Sequence, residues 1–486
     1  MRRFIALLLI PALAISPAAC RKQPQGAIKV VVIGGDPKLR DPMLGPLPPP
    51  DAVLLDSVAQ GLVRFDANGN IVPGLAERWN VSDDGLSYIF RIATKQWPDG
   101  TRITAQQVAR LLKRQLSEHS RNPLKESVGA IEDIVAMTDR VIEIQLIAPR
   151  PTLLALLAQP EFAILKGNDG TGPFSAAATG GGGRELRLTR EITNGEDQEP
   201  QREQLILTGK AADQAIADFA RGDTDLVLGG TFGDLPLAQR TKVPRDALRF
   251  DPASGLFGLV PVSGRAPFDN PDVRRLLTQA LDRGNLVAAL AVPGLAPRAT
   301  LLEPGLDGMA APLDPQWSAV SISDRLPALR AASDRLFGKT KPVIEVALPP
   351  EVGADLLLGE LKRDWGAIGL SVEQVQSGGS ADFALIDEVA PSASASWFVR
   401  RFRCGIVPVC DTQADQLMDA ARQASVPAQR YALLAQAAAR IDDQQLFIPI
   451  TAPVRWSLVS SRVQNFAGNR YARHTLTGLE QQPGSE

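Results

Sequence analysis

The sequence predicts an α/β protein with two separate sheet cores and a cleft between them. Two stretches read strand, helix, strand. In the first, Leu205-Ile206-Leu207 leads into a helix over 211–221 and then a strand over 224–228; in the second, a strand over 343–348, a helix over 351–365 and a strand over 370–375 repeat the order. Such alternation implies parallel pairing, because a strand that returns in the same direction needs a long crossover, usually helical. The third observation is size: 486 residues, 44% hydrophobic and 22% charged, sit near the globular average and suggest two to four domains.

The other elements follow in chain order. Ile28, Val30, Val31, Val32 and Ile33 form a β-branched run that stops at Gly34-Gly35-Asp36-Pro37, which reads as a buried strand ended by a turn. After a Pro-rich loop over 42–50, the three- and four-residue spacing of Val53, Leu54, Val58 and Leu62 predicts a helix over 51–62. Residues 63–72 read as a hairpin whose Asn68-Gly69 predicts a type I′ turn. Period-two alternation marks strands at 87–92 and 141–147, and Thr104 caps a helix over 105–116. Residues 167–183 are turn-rich, and Gly180-Gly181-Gly182-Gly183 predicts a surface loop. Asn270-Pro271 opens a helix expected to end near Gly284. A last helix over 426–442 leads to a returning strand at 446–450.

Composition removes several functions. With 52 Lys plus Arg against 54 Asp plus Glu, the formal charge is −2, and no basic stripe stands out for nucleic acid. Two His and three Cys give little material for a metal site, so no metal and no cofactor are expected. A nucleophilic triad needs a histidine beside its nucleophile. His119 and His474, both in polar surroundings, read as solvated surface residues, and no Gly-x-Ser-x-Gly turn is present. Gly338-Lys339-Thr340 resembles the end of a phosphate loop, but Ser333 stands where that loop needs Gly. The carboxylate pairs Asp83-Asp84 and Asp442-Asp443 read as solvated or capping groups.

The N-terminus reads as an export signal over 1–19: Arg2 and Arg3 precede an apolar stretch too short to span a bilayer. Ser16-Pro17-Ala18-Ala19-Cys20 resembles a bacterial lipobox, which makes Cys20 the lipidation site and 20–26 a lipidated linker. Pro17 stands where lipoboxes carry an aliphatic residue, so ordinary cleavage after a small residue is the alternative. With Cys20 lipidated, Cys404 and Cys410 remain as one pair, which an oxidising compartment allows to close. Their spacing favours a structural disulfide over a redox pair, which uses Cys-x-x-Cys.

Further blocks carry a resemblance. They are Ala59-Gln60-Gly61-Leu62-Val63-Arg64-Phe65, Pro73-Gly74-Leu75-Ala76-Glu77-Arg78-Trp79, Ser82-Asp83-Asp84-Gly85, Tyr88-Ile89-Phe90-Arg91-Ile92 and Trp97-Pro98-Asp99-Gly100-Thr101-Arg102-Ile103-Thr104-Ala105. Gly170-Thr171-Gly172-Pro173-Phe174, Pro267-Phe268-Asp269-Asn270-Pro271-Asp272-Val273-Arg274-Arg275, Ala414-Asp415-Gln416-Leu417-Met418 and Phe447-Ile448-Pro449-Ile450 follow in the same order. Together they resemble the family 5 solute-binding proteins of bacterial ABC importers, the peptide- and nickel-binding type, over nearly the whole mature chain. Physically the blocks are mostly turns and apolar anchors, so they speak for the fold and not for the ligand.

What the resemblance implies is the large three-domain form of the bilobal periplasmic-binding-protein fold, with a hinge and an interlobe ligand cleft. Domain I would comprise 27–44, 168–257 and 450–486, domain II 45–167 and domain III 258–449. Many peptide binders of the family place an Asp-Tyr-Pro-Asp-Pro-like stretch in the cleft, where its acid holds the peptide amine. Here the matching stretch runs from Asp382 to Phe398; Pro391 persists, Ser392 replaces the following acid, and the amine contact carries over to Asp387 or Glu388. Trp397 can stack on a ligand, and Arg400, Arg401 and Arg403 can hold a carboxylate through bidentate bonds; the other reading makes the arginines a surface cluster beside the disulfide. Asp36, at the end of the first strand, completes the candidate set. The expected function is that of a membrane-anchored periplasmic lipoprotein, monomeric and without catalysis, that captures a small, peptide-like solute and delivers it to an ABC permease. The alternative is a lipoprotein that uses the same fold as a sensor or protein-interaction module.

Overall fold

The computed structural model describes residues 26–179, 184–192, 200–376 and 380–479. The export signal, Cys20 and the Gly180–Gly183 run lie outside the described residues. The chain opens with strand β1 (Ile28–Ile33) and helix α1 (Pro49–Val58). This helix stops four residues before the predicted Leu62, because the backbone turns inward there and the Ile164 N–H donates to the Gln60 carbonyl at 3.0 Å. Strands β2 (Val63–Phe65) and β3 (Ile71–Pro73) form the predicted hairpin. Its turn differs: only Gly69 has positive φ, at 79°, and its N–H donates to the Asp66 carbonyl at 3.1 Å. A type I′ turn would need Asn68 in that region too, so the loop is a type I turn closed by a left-handed glycine.

Strands β4 (Ala76–Val81), β5 (Ser87–Ile92), β6 (Ile131–Thr138) and β7 (Val141–Leu146) make an antiparallel sheet in the order β4-β5-β7-β6. Alternate residues Tyr88, Phe90, Ile92, Ile142, Ile144 and Leu146 face one core, which α2 (Ala105–Leu116) covers with Val108, Ala109 and Leu112. Thr104 caps α2 as predicted, in a reciprocal box with Gln107. The short helix α3 (Leu153–Leu157) then leads to β8 (Ser175–Ala178), a strand inside the stretch expected to be all turns.

Strands β9 (Glu185–Ile192) and β10 (Gln201–Lys210), helix α4 (Ala212–Arg221), strand β11 (Leu226–Thr231), helix α5 (Leu235–Arg240) and strand β12 (Leu248–Phe250) follow. The seven-stranded sheet has the order β12-β18-β11-β1-β10-β9-β8, where β18 is the last strand, Arg455–Val459. The crossover from β10 to β11 is parallel, but β1 lies between the two and pairs with both. That central place explains its unbroken Val30-Val31-Val32: Val30 and Val32 pack toward Leu54 of α1, and Val31 packs toward Ile216 and Phe219 of α4.

The second sheet begins with β13 (Gly255–Pro261), every residue of which is buried. Helix α6 (Pro271–Ala280) ends before the predicted Gly284, which lies inside the next helix, α7 (Arg283–Leu290). Asp282 makes the break: its N–H donates to Asp364 Oδ2 at 2.7 Å while its carboxylate caps the Asn285 N–H. Helix α8 (Ile322–Phe337), strand β14 (Val343–Ala347), helix α9 (Val352–Gly366) and strands β15 (Ser371–Val375) and β16 (Phe383–Val389) come next. Helices α10 (Ala395–Arg400), α11 (Thr412–Gln423) and α12 (Pro427–Asp443) precede strand β17 (Ile448–Thr451). The order is β15-β14-β16-β13-β17, with the predicted parallel pair β14 and β15 at one edge.

Only short links join the two large sheets. Residues 251–254 run from β12 into β13, and residues 452–454 return from β17 to β18. The Asp251 N–H donates to the Arg455 carbonyl at 3.0 Å, extending the β12–β18 pairing to the root of the first link. Close by, the Trp456 indole N–H donates to the Thr231 carbonyl at 2.7 Å, and its ring lies where a Cβ at Gly230 would stand. His474 belongs to this region and is half-buried, its side chain only 8% exposed, against the expectation of a solvated residue. Its Nε2 lies 3.2 Å from Asp251 Oδ2, and its ring packs on Phe466. His119 is exposed, as expected.

Candidate functional cleft

Two recesses open where the lobes face each other. The first lies beside the links. Alternation along β16 turns Asp387 and Glu388 to opposite faces of the strand. Asp387 lines a recess of about 780 Å³ with Thr231, Phe232, Arg265, Glu351 and Arg455. It is fully engaged there: Arg455 Nη1 donates to both carboxylate oxygens, at 2.8 and 2.9 Å, and Nη2 donates to the Asp387 carbonyl at 3.0 Å. Burial pushes the Asp387 carboxyl above its ordinary value while Arg455 pulls it back. Glu351 is raised as well, by burial first and then by Asp234 and Asp387. Glu388, on the other face, pairs with Arg401.

The second recess is a narrower cavity of about 110 Å³ between residues 126–156 of one lobe and 392–434 of the other. Trp397 and Arg400, three apart on α10, share a helix face and both line it; Arg403 joins them from the following turn. Trp397 is buried edge-on against Phe398, with ring centroids 5.0 Å apart. Arg150, Arg422 and Arg430 complete a set of five arginines around the cavity, which holds one carboxylate of its own, Glu126. Arg403 pairs with Asp419 at 2.6 Å, and Arg430 lies 3.7 Å from Asp307.

The remaining three reach neutral acceptors. Arg400 Nη2 donates to Ser127 Oγ across the cleft at 2.8 Å, Arg150 Nη2 to the Arg422 carbonyl at 3.2 Å, and Arg422 Nη2 to the Gly129 carbonyl at 3.5 Å. Burial lowers Arg150 to about 10, and Arg430 and Arg422 add to the effect. Arg400 is lowered too, first by burial; Glu126 opposes this, and Arg401, Arg403 and Arg422 reinforce it.

The structure therefore brings Trp397, Arg400 and Arg403 to one cavity and Asp387 to another. Glu388 and Arg401 sit together outside both sets of lining residues. Asp36 is exposed at the end of β1, with Arg184 its nearest cation at 3.9 Å. Cys404 and Cys410 form a disulfide, Cα atoms 5.1 Å apart, just after Arg403. Sequence reading missed Arg150, Arg422, Arg430 and Arg455. They come from four separate places in the chain, and no local pattern joins them. Among the described residues, no group of three or more His, Cys, Asp or Glu is placed to hold a metal ion, and no helix is long and apolar enough to cross a membrane.

Residues 70–334 match the model for bacterial extracellular solute-binding proteins, family 5 middle. Over 491 aligned positions the chain is 25% identical to the probable di/tripeptide-binding protein 5 of Pseudomonas aeruginosa (strain UCBPP-PA14), covering 87% of this chain and 89% of that one. The fold superposes on OppA of Haemophilus influenzae, solved with the peptide RPPGFSPFR, with TM-score 0.78 at 17% identity, covering 93% of this chain and 99% of that one. It also superposes on the murein tripeptide binding protein MppA of Escherichia coli, with TM-score 0.76 at 16% identity, covering 92% and 97%.

Proposed function

The chain belongs to family 5 of the bacterial extracellular solute-binding proteins, and on that premise we propose that it captures a small, peptide-like solute between its lobes and delivers it to an ABC permease, chemically unchanged. The observation that carries this is the cavity between 126–156 and 392–434, a recess with an aromatic wall and convergent guanidinium donors. The peptide-like class is supported by the relative named for di- and tripeptides. Trp397, Arg400 and Arg403 are the proposed contacts. Asp387 and Glu388 reach a ligand when Arg455 and Arg401 release them, and Asp36 serves at the rim. The protein acts as a monomer, held to the membrane by lipid on Cys20, with no catalytic role. The division into domain I (27–44, 168–257, 450–486), domain II (45–167) and domain III (258–449) is part of the same proposal; the separate sheets and the two short links support it.

Native mass spectrometry of the mature protein taken from its own cells tests the reading. A released set of small peptide-like molecules is the expected result, with an intact mass that starts at Cys20 plus its acyl chains. An empty protein that no member of a peptide library stabilises would overturn solute capture. Turnover of a bound peptide would overturn delivery unchanged.

A further inference from the structure

The geometry points to a solute that carries an acidic group, seated between Arg150, Arg400 and Arg422, so that this protein selects anionic ligands over neutral and cationic ones. The inference rests on the solute-binding reading and specifies its ligand. Five arginines line the cavity, and the nearby carboxylates Asp419 and Asp307 are taken by two of them, Arg403 and Arg430. Among the described residues, no carboxylate lies within ion-pair distance of Arg150, Arg400 or Arg422; even Glu126, on the same wall, bonds none of them. Their donors end on a serine hydroxyl and three backbone carbonyls, all reached across the cleft except the Pro149 carbonyl beside Arg150.

Arg150 and Arg400 are half-buried and Arg422 is exposed. Holding the three guanidinium groups close together, two of them partly out of water, with only neutral hydrogen-bond acceptors, is costly, since the half-buried charges keep a desolvation penalty and all three repel one another. A carboxylate entering between them removes both costs. It accepts two parallel N–H bonds from a guanidinium fork, and it replaces weak interlobe contacts by charge-assisted ones drawn from both lobes. The walls suit the rest of such a ligand: Trp397, Leu153 and Leu156 offer apolar surface, and Ser392 and Ser396 offer hydroxyls. For a ligand ammonium the cleft keeps two carboxylates outside ion pairs among the described residues, Glu126 in the midst of the five arginines and Glu351 in the wider recess, where burial disfavours its charge; the others are taken. Asp387 has both oxygens on Arg455, and Glu388 is paired with Arg401, so binding an amine there means breaking an existing ion pair.

The test is calorimetric titration of the full mature protein with Glu-Glu, Gln-Gln and Lys-Lys dipeptides, which share length and backbone but differ in charge, and with succinate. Glu-Glu should bind at least about tenfold more tightly than Gln-Gln and more tightly still than Lys-Lys. Added salt should narrow that gap. Arg150→Gln, Arg400→Gln and Arg422→Gln should each weaken Glu-Glu about tenfold or more and change Gln-Gln by less than about threefold. Arg400→Lys should restore part of the loss. Tighter binding of Glu-Glu than succinate assigns the acid to a peptide, and the reverse assigns it to a free carboxylic acid; both support the inference. Equal or better binding of Gln-Gln or Lys-Lys by the wild-type protein overturns it and leaves solute capture standing. No binding by any probe, together with an empty protein from cells, would remove solute capture itself. The wild-type comparison decides the matter even if a variant fails to fold.

Discussion

Asp442, near the end of α12, is a carboxyl whose titration the fold has moved. Burial raises it to about 7; Asp443 adds to the shift, and the Leu301 N–H, donating to its Oδ1 at 3.0 Å, opposes it. A carboxyl with a higher value folded than unfolded binds its proton more tightly in the native state. Its contribution is therefore complete below about pH 4 and is lost as pH rises to about 7. Asp442→Asn keeps an oxygen for Leu301 and removes the charge. Urea unfolding at pH 8 should show the variant about 1–3 kcal/mol more stable than wild type, with the difference gone at pH 4. Asp387 and Arg455 form the opposite case, a satisfied pair across the links. Arg455→Gln should cost about 3 kcal/mol by stranding a buried carboxylate, while Asp387→Asn with Arg455→Gln should cost less than the two single changes summed. The pair itself was half legible. Asp387 stood out on its stretch, but its partner lies 68 residues away and nothing local announces it. His474 misled for the same reason: Arg473 and Thr475 made it look solvated, and the groups that bury it, Phe466 and Asp251, come from outside that stretch.

Elements were legible where their signals were local. The Thr104 and Gln107 box sits within one turn of α2, and Thr104→Ala should lower stability by about 1 kcal/mol in chemical denaturation. Boundaries set by tertiary partners were not legible. The break between α6 and α7 depends on Asp364, which is distant in sequence, and the early end of α1 depends on the 160s loop reaching Gln60. The arginine cavity shows the same division. Trp397, Arg400 and Arg403 lie within seven residues and could be read together, whereas Arg150, Arg422 and Arg430 are gathered from a loop and two other helices. At the close approach of β11 to β18, Gly230→Ala would push a methyl into the Trp456 indole. The expected cost is about 1–3 kcal/mol, read as a lower Tm with the folded circular-dichroism spectrum retained.

At the scale of the molecule, composition and the two strand–helix–strand runs were enough to foresee two α/β cores and a cleft. They could not order the first sheet, because β1 slips between two strands that follow it by more than a hundred residues. Pairing across such separations leaves no periodic trace in the sequence. A ligand bound only by the folded protein adds stability by mass action. At a free concentration one hundred times Kd, the gain in unfolding free energy should be about 2.7 kcal/mol, measured by denaturant titration with and without the ligand.

The paired links also limit which movements the molecule can make. One covalent strap would let a lobe swivel in any direction. Two straps that leave one sheet from neighbouring strands, β12 and β18, with the Asp251 N–H on the Arg455 carbonyl extending that pairing to the root of the first strap, resist torsion and leave bending as the soft coordinate, as two hinge pins make a door swing in one plane. Encounter between the arginines of the two walls then follows from a single angle, and the lobes meet in the same register on every closing.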